Sequence, residues 1–329
     1  MKILVTGASG YIGHKLAHLL ANEGHIVHAL VRSDAGANLL QHPNIILFKG
    51  DVLQKQTLVP AIKGCGQVYH TAAMVGAWAR RLQEFYDVNV TGTHHVLDTA
   101  VAAGVQRFVF TSTAGVLGPS SGEPIAETHR RTLPFRIDYD RSKRDAEDLV
   151  QAYAAKGLST VVVSPAKVYG PGHTSHSLTA NAIIGSFLKS GIAFIPSPGT
   201  YRVCFAYVDD VVQGHIQAMA KGVPGETYIL GGNNVSYAEF FGLIRTLSGG
   251  KGRIVALPKA AVKAAASAQE ISHRIIGSNI RFTVNSVDHL FSNYTFSSDK
   301  AIRQLGYHIT PLEVALAQTI QFLKSNTHA

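Results

Sequence analysis

Tyr139 and Lys143 stand four residues apart in Tyr-Asp-Arg-Ser-Lys, inside a stretch from about Tyr139 to Lys156 whose pattern is helical. On a helix that spacing puts both side chains on one face, one turn apart. An ammonium beside a phenol favours the phenolate, so Tyr139 is expected to have its pKa lowered from ~10 towards the working range. Such a tyrosine can give a proton to a carbinol oxygen, or take one from it, while a hydride moves. Tyr-x-x-x-Lys by itself also fits a solvated helix face. Thr113, at the end of a strand, adds a hydroxyl that can hold a substrate oxygen near Tyr139.

Hydride chemistry needs a dinucleotide, and the first thirteen residues, MKILVTGASGYIG, are built to hold one. Ile3, Leu4 and Val5 suit a buried parallel strand. Gly7, Gly10 and Gly13 follow at three-residue spacing, and a helical pattern (His14 to Asn22) begins at once. Glycine serves where a strand turns sharply into a helix and where backbone approaches a pyrophosphate. The helix N-terminus offers free N–H groups and a positive dipole end. A glycine triplet alone is a weak signal; between a strand and a helix it is a strong one.

The elements that must position these groups follow in order. Strands are expected at Ile26 to Val31, Ile45 to Phe48, Gln67 to His70, Arg107 to Phe110 and Thr160 to Ser164, and a long helix over Leu82 to Ala103. This alternation indicates βαβ units and a doubly wound parallel α/β sheet of Rossmann type. Right-handed crossovers then place the ligand at the strands' carboxyl ends, where Arg32, Asp51, Thr71 and Thr111 emerge. Beyond Ser164, Gly and Pro punctuate shorter elements. Helices are expected near Leu178 to Ser190, Tyr237 to Ser248, Pro258 to Ile276 and Pro311 to Lys324. The dinucleotide domain is therefore expected to span 1–165, with 201–231 returning to it and Cys204 to Met219 rejoining the main sheet. Residues 166–200 and 232–329 would form a smaller substrate lobe.

The chain has 329 residues, enough to bury a large core. Its formal charge of +9 is scattered, and the densest runs, Arg130–Arg131 and Arg141 to Arg144, carry no interleaved aromatics. An anionic substrate or cofactor explains that charge better than nucleic acid. Cys65 and Cys204 form no CxxC, which fits a reducing compartment and gives no zinc site. No leader is expected ahead of the first strand, and no apolar run reaches the length of a membrane span. A cytoplasmic location is expected. Asp98 and Asp145 read as helix surface, His94 and His95 point different ways, and His173 with His176 lacks a carboxylate partner, so no metal is expected. Ser164-Pro165 lacks a Gly-x-Ser-x-Gly elbow and no lysine follows a phosphate loop, which speaks against a hydrolase or an NTPase.

Together, Gly7-x-x-Gly10-x-x-Gly13, Tyr139–Lys143 and Thr113 resemble the extended short-chain dehydrogenase/reductase family. Asp51, Asn89-Val-x-Gly-Thr, Val168-Tyr-Gly-Pro-Gly and Tyr207-Val-Asp-Asp extend the likeness from residue 1 to about 245. The last eighty or so residues match loosely, and Thr113 stands where the family usually has serine. The resemblance implies that Tyr139 is the general acid/base, that Lys143 holds the nicotinamide ribose and tunes Tyr139, and that Thr113 orients the carbonyl. It assigns the cofactor's phosphates to Gly7, Ser9, Gly10, Tyr11, Ile12 and Gly13, and its adenine end to Arg32, Asp51 and Val52. Thr71, Ala72, Ala73, Thr111, Pro165, Ala166 and Val168 would line the rest of the cleft. A homodimer is also compatible with the likeness.

Cofactor choice turns on the end of the second strand. A carboxylate there would bind the ribose of NAD; this strand ends in Arg32, whose guanidinium can grip the 2′-phosphate of NADP. NADP is expected, with NAD open should Asp34 reach back. Nucleotide-sugar enzymes of the family carry asparagine where this chain has Lys167, and an arginine near the position of Arg202. Val31-Arg32 and Phe110-Thr-Ser-Thr-Ala-Gly are similar to the branch containing dihydroflavonol reductases and 3β-hydroxysteroid dehydrogenases. In that branch Met74 to Ala79, with Trp78, falls against substrate; a surface loop with a buried indole reads equally well. The expectation is NADPH-dependent reduction of an aldehyde or ketone. A nucleotide-sugar epimerase or dehydratase is the alternative, and a non-catalytic NADP sensor a third.

Overall fold

The computed structural model describes residues 1–76, 78–79, 81–173, 180–276 and 283–326. Seven strands, all parallel, form the central sheet: β1 (Lys2–Thr6), β2 (Ile26–Val31), β3 (Ile45–Lys49), β4 (Gln67–His70), β5 (Arg107–Thr111), β6 (Thr160–Pro165) and, after three strands elsewhere, β10 (Thr227–Leu230). Their order is β10-β6-β5-β4-β1-β2-β3. Ile3, Leu4 and Val5 are at most 1% exposed, because helices cover both faces and β1 lies in the middle.

One face carries α1 (Tyr11–Asn22), whose Leu16, Ala17, Leu20 and Ala21 pack on the sheet. The short α2 (Asp34–Asn38) follows β2. The opposite face carries α3 (Lys55–Ile62), α5 (Gly92–Ala102) and α6 (Asp138–Ala155), joined to the sheet through Leu58, Val96, Leu97 and Val150. The long helix expected over 82–103 is present as a continuous helical run over 83–102 with a widened turn inside it. α4 (Gln83–Tyr86) passes through a π-helical turn at Asp87–Thr91 before α5 begins. A wide turn of this kind frequently marks a functional site, and this one contains Asn89.

β7 (Lys167–Tyr169), β9 (Arg202–Tyr207) and β11 (Asn233–Ser236) form a separate three-stranded sheet, and β8 (Ile192–Pro196) pairs with β12 (Arg253–Leu257). The stretch Cys204 to Met219 returns to the main sheet in part: Val208, Val211, Val212, Ala218 and Met219 join its core, whereas the strand within the stretch pairs elsewhere. β9 takes β7 and β11 as neighbours, and the return is made by α8 (Val208–Lys221) and β10. α7 (Ala180–Ser190), α9 (Tyr237–Leu247) and α13 (Leu312–Ser325) close the lobe around Tyr169, Phe187, Phe205 and Phe240, with the Phe205 and Phe240 rings stacked at 3.7 Å. α10 (Lys259–Ile276) and α11 (Val284–Leu290) meet through Ala266, Val287 and Phe291. α12 (Asp299–Leu305) packs back on the dinucleotide side: Ala301, Leu305 and Tyr307 join the sheet's core, and the Tyr307 hydroxyl donates to the Gly231 carbonyl at 2.7 Å. Among the described residues no helix is long and apolar enough to cross a membrane.

Candidate active site

Strand order reverses between β1 and β4, which opens the crevice at their carboxyl ends. Gly7 leaves β1 at φ +69°, and a Cβ there would sit 2.6 Å from the Ala72 nitrogen. A Cβ on Gly13 would collide with the Gly7 carbonyl and lie 2.6 Å from Thr71 Oγ1. These two positions must be glycine for the loop to lie against the end of β4. Thr71 ties the turn down by donating to the Thr6 carbonyl at 2.8 Å. Gly10 is the N-cap of α1, with no capping side chain and no acid in the first turn, so its N–H groups face outward as a pyrophosphate would require. Ser9 lies against Gly36 of α2, and Ile12 packs half-buried on the sheet's core. Tyr11 is committed elsewhere, its hydroxyl donating to the Gly170 carbonyl at 2.6 Å. This clamps the glycine loop to the Val168–Gly170 turn.

At the adenine end, Arg32 is exposed beyond β2. Asp34 does not reach back; it pairs with Lys49 at 2.9 Å. Asp51 folds its own loop, Oδ1 accepting from the Leu53 amide at 3.0 Å, while Val52 is buried beneath α5.

The catalytic end is assembled by α6 and β5. Lys143 is 1% exposed, with Nζ 4.0 Å above the centre of the Phe110 ring. That dry pocket pushes its pKa down to about 7, against the pull of Glu147 one turn on. The expected lowering of the Tyr139 pKa does not occur. Burial and the neighbouring Asp140 raise it well above the ordinary value, so the phenol is neutral. Asp140 is itself buried against Gly115, and burial lifts its carboxyl to about 7 despite Arg131. Thr113 Oγ1 accepts from the Gly115 amide at 3.2 Å, which leaves its own proton to be donated outward. Thr111 does not face a ligand in the same way, since its hydroxyl meets His215 Nε2 at 2.9 Å.

Behind the pair runs a buried chain of hydrogen bonds. Thr6 Oγ1 meets His70 Nδ1 at 2.6 Å, His70 Nε2 meets Thr93 Oγ1 at 2.9 Å, and Thr93 donates to the Asn89 carbonyl at 2.6 Å. Asn89 Nδ2 then reaches Ser142 Oγ at 2.9 Å, beside Lys143, and Asn89 Oδ1 accepts from the Met74 amide at 2.8 Å. One asparagine thus ties Met74, at the end of β4's tail, to Ser142 of α6. Beyond Met74 the Trp78 ring sits edge-on to His273 of α10 at 4.9 Å, so the smaller lobe covers it.

Ala73 is half-buried in the crevice beside Ala72. Ala166 donates its amide to the Leu230 carbonyl at 3.2 Å, bringing Pro165 and Ala166 to the same edge, with Lys167 and Val168 on β7 beyond them. Lys167 Nζ lies 5.8 Å over the Tyr237 ring. Arg202 is not brought to this edge with a free charge, because its guanidinium binds Glu239 at 3.3 Å and the Asn234 carbonyl at 2.5 Å. His176 lies outside the described residues, among which no group of His, Cys, Asp and Glu is placed to hold a metal ion. Sequence reasoning missed Asp140, Glu147, Arg136, His289 and Tyr294. The first two carry a readable signal, as acids beside and one turn after the Tyr139–Lys143 pair. The last three converge only through tertiary packing.

Residues 3–231 match the model of the NAD dependent epimerase/dehydratase family. The chain is 32% identical over 313 residues to 4-hydroxy-2-methyl-3-oxo-4-farnesyl-3,4-dihydroquinoline-1-oxide ketoreductase of Stigmatella aurantiaca, covering 93% of this chain and 92% of the relative. It is 30% identical over 229 residues to 2-alkyl-3-oxoalkanoate reductase of Stenotrophomonas maltophilia (strain K279a), covering 68% and 67%. The crystal structure of gox2253 superimposes with a TM-score of 0.81 at 29% identity, covering 98% of each chain.

Proposed function

This chain belongs to the NAD dependent epimerase/dehydratase family and is an oxidoreductase of the short-chain dehydrogenase/reductase type, and from that premise we propose that it reduces the carbonyl of a small organic substrate with NADPH. The observation that carries this reading is a neutral Tyr139 one helical turn from Lys143, with Thr113 at the end of β5 accepting from Gly115 and keeping its own proton to donate. Bound along the glycine loop, the nicotinamide cofactor supplies the hydride. Thr113 donates a hydrogen bond to the carbonyl oxygen, and Tyr139 gives that oxygen its proton. A raised tyrosine pKa suits the reducing direction, because the acid is present in its donating form across the neutral range. Lys143, one helical turn away, in its protonated form stabilises the phenolate left after transfer.

NADPH is favoured over NADH by Arg32 at the end of β2 and by the engagement of Asp34 with Lys49, which leaves no carboxylate poised for a ribose diol. The test is spectrophotometric, following oxidation of NADPH and NADH in parallel against aromatic and aliphatic aldehydes, oxo acids and their esters, flavanonols and 3-ketosteroids. Turnover with NADPH at least tenfold better in kcat/KM, reduced to parity by Arg32→Ala, is the expected result. Consumption of neither nucleotide, with NAD found tightly retained, would replace the reductase reading with internal oxidation and re-reduction of a nucleotide sugar.

A further inference from the structure

Where the sheet's carboxyl edge meets the smaller lobe, positive charge collects without an acid to answer it. Arg136, in the segment before α6, donates from Nη1 to the Asp288 carbonyl at 2.8 Å and to Ser292 Oγ at 2.7 Å. Lys167 rests on the face of Tyr237. Among the described residues neither has a carboxylate within ion-pair distance. Two acids of this region are already engaged: Asp288 by Lys259 at 2.8 Å and Lys263 at 3.1 Å, and Asp140 by the field of Arg131. Arg131 is also tied by the carbonyls of Gly115, Leu133 and Pro134.

Between these cations lie His289 and Tyr294, their ring centres 4.0 Å apart. His289 Nδ1 and the Tyr294 hydroxyl are buried with no hydrogen-bond partner among the described residues. Lys167, Arg136 and Arg131 are close enough to join burial in pushing the imidazole down to about 3, so it is a neutral donor and acceptor rather than a third charge. Tyr294 in turn feels Asp140, the residue after Tyr139, which ties this cluster to the catalytic end. Orphaned buried polar atoms are rare in folded proteins. Two of them beside two unanswered cations are what an anionic ligand would satisfy.

We propose that Lys167 and Arg136, backed by His289 and Tyr294, form a subsite for a carboxylate carried by the carbonyl substrate, which makes the substrate class an oxo acid rather than a neutral ketone. The proposal rests on the reductase reading and deepens it. The aromatic and aliphatic surroundings of the cluster, Tyr201, Tyr237 and Phe291 among them, suit an acid with an apolar chain.

The full-length protein is assayed with NADPH against 2-, 3- and 4-oxo acids of one chain length and their methyl esters. At least one acid is expected to exceed its ester tenfold or more in kcat/KM. Lys167→Met and, independently, Arg136→Gln should each collapse that ratio by about tenfold, mainly through KM for the acid, whereas Lys167→Arg should preserve most of it. Esters that match their acids, or a ratio untouched by both neutral variants, would overturn the subsite and leave the reductase reading intact. Should no carbonyl be reduced, calorimetric titration of the matching hydroxy acids and their esters into protein with NADP decides separately. Binding of an acid alone, weakened by Lys167→Met, upholds the subsite while the reductase reading fails; equal binding of acid and ester, or none, rejects it.

Discussion

Two buried polar clusters border the crevice, and they differ in how far the protein itself satisfies them. Behind Lys143, every member of the Thr6–His70–Thr93–Asn89–Ser142 chain has a partner within the protein, although His70 and Asn89 are wholly buried. Across the seam, among the described residues, His289 and Tyr294 keep buried atoms unpaired, and Lys167 and Arg136 keep charges unanswered. A satisfied network has one arrangement and holds its neighbours rigid. An unsatisfied cluster costs stability in the free protein and is complementary to something else. In the reading proposed above, the first cluster positions the chemistry and the second selects what receives it.

The largest effect that would sharpen this contrast is Tyr139→Phe. It removes the proton donor and keeps the ring's packing near Phe85, so kcat is expected to fall about 10²- to 10⁴-fold with the melting temperature nearly unchanged. A variant retaining most of its turnover would place the acid elsewhere.

The satisfied side should respond in stability before it responds in rate. Asn89→Ala strands the Met74 amide and carbonyl and leaves Ser142 Oγ only its bond to the Tyr139 carbonyl, a loss of about 1–3 kcal/mol for buried groups left without partners. Urea denaturation measures it. A loss confined to a few tenths would mean that the network is not the rigid support described.

The smallest effect is a pH dependence. His70 is held neutral, with burial first and Lys143 second pushing its pKa down to about 3. Between that value and the ordinary 6.5 the unfolded chain binds a proton that the folded chain refuses, so this stability is full above 6.5 and is lost as pH falls. From pH 6.5 to 5 one such histidine accounts for about 2 kcal/mol. Asp140 and Glu147, raised to about 7 by burial, act with the opposite sign as pH rises from their unfolded values towards neutrality. The measurement is therefore a difference: His70→Gln should show a smaller drop in unfolding free energy between pH 7 and pH 5 than the parent. An equal drop in both would assign the acid sensitivity to His215 and His289, which burial also holds neutral.

The amino-acid sequence by itself determined the glycine loop, the parallel sheet and the helix that carries Tyr139 and Lys143. Each is local: an apolar β-branched run, glycines at a turn, a four-residue interval on a helix. It also marked Arg32 and Lys167, through the residue types present at strand ends. Only the tertiary structure decided the rest. The Tyr139 pKa moved up because the surrounding fold desolvates the phenol and sets the Asp140 carboxyl beside it. The helix over 82–103 widened into a π turn, and Asn89 there binds Met74 and α6 at once. β9 left the main sheet because β7 and β11 offered it partners in the smaller lobe. His289, Tyr294 and Arg136 have no shared spacing in the chain and meet only because α11 folds back over the segment before α6. Burial and long-range charge depend on what the whole chain places around a group, and no interval between residues records that.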